Sequence, residues 1–296
     1  MICSKKYSLC IFLFLISAAQ SFAQTGPPAT DIYLLDVRID GQEIKLDSPK
    51  NITDRNGYDN QPAFMPDGKS LLYTSIRADG QADSYRYDFG SGKTTRLTHT
   101  QESEYSPTPM PDGRHFSVVR VEADSAQRLW RFPFDGGQPS VILENIEPVG
   151  YHAWGGTDRV ILFVLGNPNA LHIAHTPSGK SEQIIGSIGR SLHKIPDQEA
   201  FSFIHKVSEK EWWLKKVTFR DHEISPLIQT LEGSEDAAWT PGGILLMGKD
   251  SILYKCHPGK DKNWVAVANL TTHGLEGISR IAVSPNGNKL ALVSSR

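Results

Sequence analysis

The feature that most limits what this chain can become is a repeat. The segment Pro62-Ala63-Phe64-Met65-Pro66-Asp67-Gly68-Lys69-Ser70-Leu71-Leu72-Tyr73 returns as Pro107-Thr108-Pro109-Met110-Pro111-Asp112-Gly113-Arg114-His115-Phe116-Ser117-Val118. Weaker copies place Gly155-Gly156 before Val160-Ile161-Leu162-Phe163, Pro196-Asp197 before Ala200-Phe201, Pro241-Gly242-Gly243 before Ile244-Leu245-Leu246, and Pro285-Asn286-Gly287 before Leu290-Ala291-Leu292-Val293. With positions 66, 111, 156, 196, 241 and 285 as markers, the successive steps are 45, 45, 40, 45 and 44 residues. A sustained period of this length belongs to chains built from stacked supersecondary units.

Most markers are turns with a mechanism: proline presets φ, Asp or Asn tolerates the next position, and Gly closes the turn. Apolar runs flank each one, so each unit opens with a β-hairpin. Alternating segments such as Ser84-Tyr85-Arg86-Tyr87, Arg128-Leu129-Trp130-Arg131-Phe132 and Trp213-Leu214-Lys215-Lys216-Val217 supply a third strand, and segments such as Thr95-Arg96-Leu97-Thr98 a fourth. One four-stranded sheet cannot bury both of its faces, which is why such units stack. The last marker has only its hairpin, and the missing outer strands are found at the other end, in Ile32-Tyr33-Leu34-Leu35-Asp36-Val37, Glu43-Ile44-Lys45-Leu46 and Asn51-Ile52-Thr53. The pattern predicts an all-β chain, a six-bladed β-propeller of four-stranded antiparallel blades over residues 31–296. Its last blade is closed by the N-terminal strands, which hides the sheet edges.

Residues 1–23 read differently. Lys5 and Lys6 precede an apolar run from Cys10 to Ala19, followed by Ser21 and Ala23 at the −3 and −1 positions of a cleavage before Gln24. This is the pattern of a secretory signal peptide, with a run shorter than the ~20 residues of a spanning helix. Cys10 begins the run instead of following it, so no lipid-attachment site is expected. Residues 24–30 form a short linker, and no transmembrane anchor is expected after cleavage. The mature chain keeps 29 Lys and Arg against 33 Asp and Glu and retains Cys256 alone, so it cannot form an internal disulfide. The charge balance argues against nucleic acid as a partner, which would need a basic excess.

The hairpins carry a resemblance. Asp59 with Pro62, Phe64 and Pro66-Asp67-Gly68, and Glu104 with Pro107 and Pro111-Asp112-Gly113, resemble the WD40-like "PD40" repeat of the TolB propeller family, a periplasmic component of the Tol-Pal envelope system. Pro109 replaces the repeat's aromatic, Trp154 and Trp239 keep it, and Lys194 and Val283 do not. The resemblance implies a periplasmic or secreted protein that binds a protein or peptide partner. TolB carries an α/β domain ahead of its propeller, and residues 24–30 leave no room for one. The same propeller also accompanies peptidases and lyases, so the resemblance is more specific for fold than for activity.

The residues show no Gly-x-Ser-x-Gly elbow, and His172 and His175, three apart on a strand, point to opposite faces. No catalytic residue, metal or cofactor is assigned, and a non-enzymatic monomeric binding module is expected. The between-blade loops, taken as residues 54–60, 101–106, 144–151, 186–193, 232–236 and 272–279, hold ten acids against Arg55 and Arg190 alone. A negative channel mouth and a basic partner follow as expectations. The candidate binding residues are Asp59, Glu104, Glu235 and Asp236, with Tyr58, Tyr105, Tyr151, His152 and His193 beside them. Two alternatives remain: a small lactonase or lyase with a channel metal or acid/base site drawn from Asp59, Glu104, His152, His193 and Asp236, and a carbohydrate-binding propeller using the aromatics.

Overall fold

The structure, a computed structural model, describes residues 26–295, so the expected signal sequence lies outside the described residues. Strands dominate, and the helical content among the described residues is one 3-10 turn, Thr271–His273. None of the described helices is long and apolar enough to cross a membrane.

The repeat becomes six blades. Blade 1 holds Tyr58–Phe64, Ser70–Ile76, Ala82–Asp88 and Thr94–Arg96, each antiparallel to the next. Blade 2 runs from Ser103–Pro109 to Ser140–Val141, blade 3 from Val149–Trp154 to Lys180–Gly186, blade 4 from Ile188–Lys194 to Ile224–Gln229, and blade 5 from Ala237–Trp239 to Val265–Asn269. Blade 6 is composite. Glu276–Val283 pairs with Lys289–Ser295, which pairs in turn with the N-terminal strand Thr30–Asp40 in the register Ile32↔Val293 and Leu34↔Ala291. Glu43–Leu46 and Lys50–Asn51 add on the far side of that strand.

Packing shows why the ring is closed. The buried apolar residues fall into six clusters, one between each pair of adjacent blades. Ile32, Ala291 and Val293 of blade 6 meet Phe64, Leu71 and Tyr73 of blade 1 in the same way that Phe201 and Phe203 of blade 4 meet Ile161 and Phe163 of blade 3. Alternating side chains send each strand's apolar residues to the two neighbouring blades in turn, so no blade is stable by itself.

One expectation is corrected here. In five blades the innermost strand starts earlier than the loop boundaries assumed, at Tyr58, Ser103, Val149, Ile188 and Glu276, and in blade 5 it starts at Ala237, directly after the assumed loop. Tyr58, Asp59, Glu104, Tyr105, Tyr151 and His193 therefore sit in strands and not in loops, and His152 shares a strand with Tyr151. A bulge reconciles the two readings: pairing shifts between Asn60 and Ala63 and between Tyr105 and Thr108, with Gln61 at φ 58° and Ser106 at φ 54°. The irregular sequence there reads as loop although the ladder continues beyond it.

Candidate binding channel

The six innermost strands surround a channel of about 800 Å³. Its lining follows the repeat. Five residues before each marker stand Gln61, Ser106, Tyr151, Ser191, Asp236 and Arg280, one from each blade, and all six face the channel. Three residues before each marker stand Ala63, Thr108, Ala153, His193, Ala238 and Ala282, which keep the bore wide below that ring. Trp154, Trp239, Phe64 and Val283 add apolar wall, and Pro66, Pro111, Pro196, Pro241 and Pro285 ring the far end. The channel is polar at the end where the strands begin and largely apolar beneath.

The polar ring has two unlike halves. On blades 1 and 2 the groups satisfy one another: the Gln61 side-chain oxygen accepts from the Thr74 hydroxyl at 2.7 Å and from the Ser106 N–H at 2.8 Å. On blades 3 to 6 the ring is charged. Arg280 donates to the Tyr151 hydroxyl at 2.9 Å and lies over its ring, 4.7 Å from the centroid. Asp236 accepts the Ile281 N–H at 2.9 Å on one oxygen, while its other oxygen stands 3.7 Å from Arg280 and 3.9 Å from Arg190. Arg190 donates to the Ser279 carbonyl at 2.8 Å. Burial pushes the Asp236 carboxyl up, opposed by Arg280 and Arg190.

The expected site residues divide. Tyr151, His152, His193 and Asp236 line the channel. Tyr58 is half-buried above it; burial pushes its hydroxyl up to about 12, with Arg280 the strongest charge pulling the other way. Tyr105 turns into the cluster between blades 2 and 3, and burial raises its hydroxyl as well. His152 is buried with Nε2 2.6 Å from the Ser117 Oγ, which also accepts the Trp154 indole N–H at 2.9 Å. Burial lowers the His152 imidazole to about 3, so the ring meets the serine hydroxyl in its neutral form. His193 lies 3.2 Å from the Ser191 hydroxyl and is pushed down by burial, with Asp236 opposing.

Six of the ten acids counted at the mouth, Asp59, Glu102, Glu104, Glu147, Glu235 and Asp236, stand within ion-pair distance of a cation. Asp59 has no exposed surface and accepts from Arg55 at 2.8 Å; burial raises its carboxyl while Ser75 and Arg55 hold it back. Glu104 is equally enclosed, accepts the Thr100 hydroxyl and stands 3.8 Å from Arg120, and burial pushes it up to about 7. Arg120 also pairs with Glu102, Arg128 with Glu147 at 2.7 Å, and Lys206 with Glu235 at 2.9 Å. Arg120, Arg128, Lys206 and Arg280 belong to strands outside the loop segments, which is why a count within those segments missed them. Asp59 and Glu104 therefore do not converge with His152, His193 and Asp236. Among the described residues, no group of three or more His, Cys, Asp or Glu is placed to hold a metal ion.

Arg280, Gln61, Ser106 and Ser191 are the channel residues that sequence reasoning did not single out. The signal was present, since each sits at a fixed distance before its marker, but it needed the knowledge that this register faces inward.

Comparison with known proteins places the fold. No protein-family model and no curated protein sequence matches this chain. Among solved structures, a protein assigned as TolB from Agrobacterium tumefaciens matches with a TM-score of 0.72 at 14% identity, over 92% of this chain and 99% of that one. TolB from Acinetobacter baumannii matches with a TM-score of 0.59 at 13% identity, over 90% of this chain and 64% of that one. An oligogalacturonate lyase in complex with manganese matches with a TM-score of 0.52 at 14% identity, over 92% of this chain and 99% of that one. At these identities the likeness is one of architecture: the described residues carry the TolB-like propeller fold.

Proposed function

We propose that this protein is an exported, non-enzymatic binding propeller that receives a segment of a protein or peptide partner in its central channel, within the periplasm or outside the cell. One observation carries the reading: all six blades contribute to a single channel of about 800 Å³ whose polar end gives way to an apolar wall, as an interface with an anchoring pocket requires. The likeness to TolB propellers supports a partner in the envelope, and the basic start and short apolar run of residues 1–23 support export.

Neutralising Asp59 and Glu104 would be a poor test, because both are buried and paired. Filling the channel is better. Ala282→Phe puts a ring into the wide section of the bore, and affinity capture from an envelope extract compares it with wild type. A partner recovered by wild type and lost from a folded Ala282→Phe variant supports the proposal, and equal recovery by both refutes it.

A second reading, a propeller enzyme acting on a sugar acid or lactone, draws on the placement of His193 in the channel wall with Asp236 close enough to act on its charge. The oligogalacturonate lyase likeness lends it context. Melting with millimolar calcium, manganese or zinc tests it: a rise in Tm that His193→Ala abolishes supports a channel metal, and no shift with any of the three counts against it.

A further inference from the structure

The charged half of the polar ring holds more cation than its own acids can use. Arg190 and Arg280 converge on one carboxylate, Asp236, at 3.9 and 3.7 Å, both longer than a hydrogen bond. Asp236 is already committed on its other oxygen to the Ile281 N–H. Glu235, the next acid, accepts from Lys206 at 2.9 Å and from the Arg190 backbone N–H at 3.1 Å, and lies 3.8 Å from the Arg190 guanidinium. The Nε of Arg190 is buried and has no hydrogen-bond partner. Three cations therefore face two carboxylates, and the neighbouring Tyr58 and His193, their ionisation disfavoured by burial, add no negative charge at neutral pH. A cation held in a protein wall without full pairing is costly, and a guanidinium fork fits a carboxylate in two parallel hydrogen bonds.

Beneath this cluster the wall is apolar: Ala153, Ala238 and Ala282 widen the bore, and Trp154 and Trp239 flank it. The two indole N–H groups are spent on Ser117 at 2.9 Å and Ser202 at 2.8 Å, so the tryptophans offer the channel ring surface and not donors. Polar cations above and hydrocarbon below define a ligand with the opposite polarity.

We infer that the channel is a carboxylate-binding site, in which Arg190 and Arg280 receive the anionic group and the apolar section takes the hydrocarbon body attached to it. The inference rests on the reading of the channel as the binding site and adds the chemistry of what enters. The carboxylate can come from a peptide partner or from a free organic acid.

The probes are 3-phenylpropionate and its uncharged analogue 3-phenylpropionamide, followed by calorimetry and by tryptophan fluorescence, since Trp154 and Trp239 line the bore. The acid is expected to bind at least tenfold more tightly than the amide, and to weaken at least tenfold in Arg280→Met and in Arg190→Met with the amide unaffected. Arg280→Lys, which keeps the charge and loses the fork, is expected to fall between. Circular dichroism and melting identify variants that are folded, and Arg190→Met carries the test if Arg280→Met is not. A parallel pair, N-acetyl-Gly-Phe as acid and as C-terminal amide, separates the sources: tighter binding of the peptide acid than of 3-phenylpropionate assigns the carboxylate to a peptide, and the reverse assigns it to an organic acid. Equal binding of acid and amide, acid binding unchanged in both arginine variants, or no binding of any probe at millimolar concentration overturns the inference. The capture experiment with Ala282→Phe reads the channel proposal separately, because it does not depend on the charge of the occupant.

Discussion

Replacing Ile32 by alanine tests whether the N-terminal strand is an integral part of the ring. Ile32 has no exposed surface, pairs with Val293 in blade 6, and packs in the cluster that joins blade 6 to Leu71, Tyr73 and Tyr85 of blade 1. The Ile32 N–H donates to the Thr53 hydroxyl at 3.0 Å, a backbone bond that the substitution leaves in place. Truncation removes three buried carbons, about 2.4 kcal/mol at ~0.8 kcal/mol each. The walls of the cavity are strands held by their ladders and cannot collapse fully, so the total cost is about 3–4 kcal/mol, within the range for such substitutions. For a chain of this size that corresponds to a fall in Tm of roughly 6–15 °C. Urea unfolding read by far-UV dichroism and by tryptophan fluorescence gives the assay, with Val265→Ala, on an exposed outer strand, as a control that changes stability by less than about 0.5 kcal/mol. The midpoint should drop with the slope unchanged, because the strand unfolds together with the ring. A midpoint within error of wild type, or a separate early transition confined to the mutated strand, would refute the claim that the N-terminus closes the propeller cooperatively.

Three further outcomes follow from named contacts. Ser117→Ala removes the partner of both the His152 imidazole and the Trp154 indole, each buried, and is expected to cost about 1–3 kcal/mol by the same urea assay; a neutral result would mean that water replaces the hydroxyl. Because burial holds the His152 imidazole at about 3, below its ordinary 6.5, the unfolded chain binds that proton first as pH falls, so stability present above 6.5 is lost toward 3. The loss between pH 7.5 and 4.5 reaches about 2.7 kcal/mol from this group; Glu104, raised to about 7, works in the opposite sense between 4.5 and 7. His152→Gln should therefore lose less on acidification than wild type, and an equal loss in both would refute the assignment. Gly155→Ala would place a methyl 2.6 Å from Phe201 Cζ and 2.8 Å from Phe219 Cζ, two rings already packed 4.6 Å apart, and should cost about 1–3 kcal/mol in melting experiments.

Much of the architecture was legible because it is repetitive and local. The turn at Pro66-Asp67-Gly68 and the apolar run after it are set by φ preference and by strand alternation, and six copies at a near-constant step leave little choice of blade number. The composite sixth blade was legible for the same reason, since Ile32–Val37 carries a third-strand pattern with no hairpin before it and the last hairpin has no third strand after it. Strand boundaries near the channel were less legible. The bulges at Gln61 and Ser106 break the alternation within the inner strand, so sequence reading began those strands too late.

The electrostatics of the channel was decided by tertiary structure alone. Sequence shows which residues are charged, but the charge that a surface presents depends on which groups meet, and the partners here come from different strands and different blades. Arg120 reaches Glu104 across a hairpin of blade 2, Lys206 of blade 4 reaches Glu235 on the approach to blade 5, and Arg280 of blade 6 faces Asp236 there. Coulomb attraction falls with distance and grows where water is excluded, so these contacts pair much of the apparent excess of acid and leave three cations, Arg190, Lys206 and Arg280, around Glu235 and Asp236. The repeat by itself determined six blades and their closure; only the folded ring could determine which positions face inward and that two arginines gather there around a single carboxylate above an apolar bore.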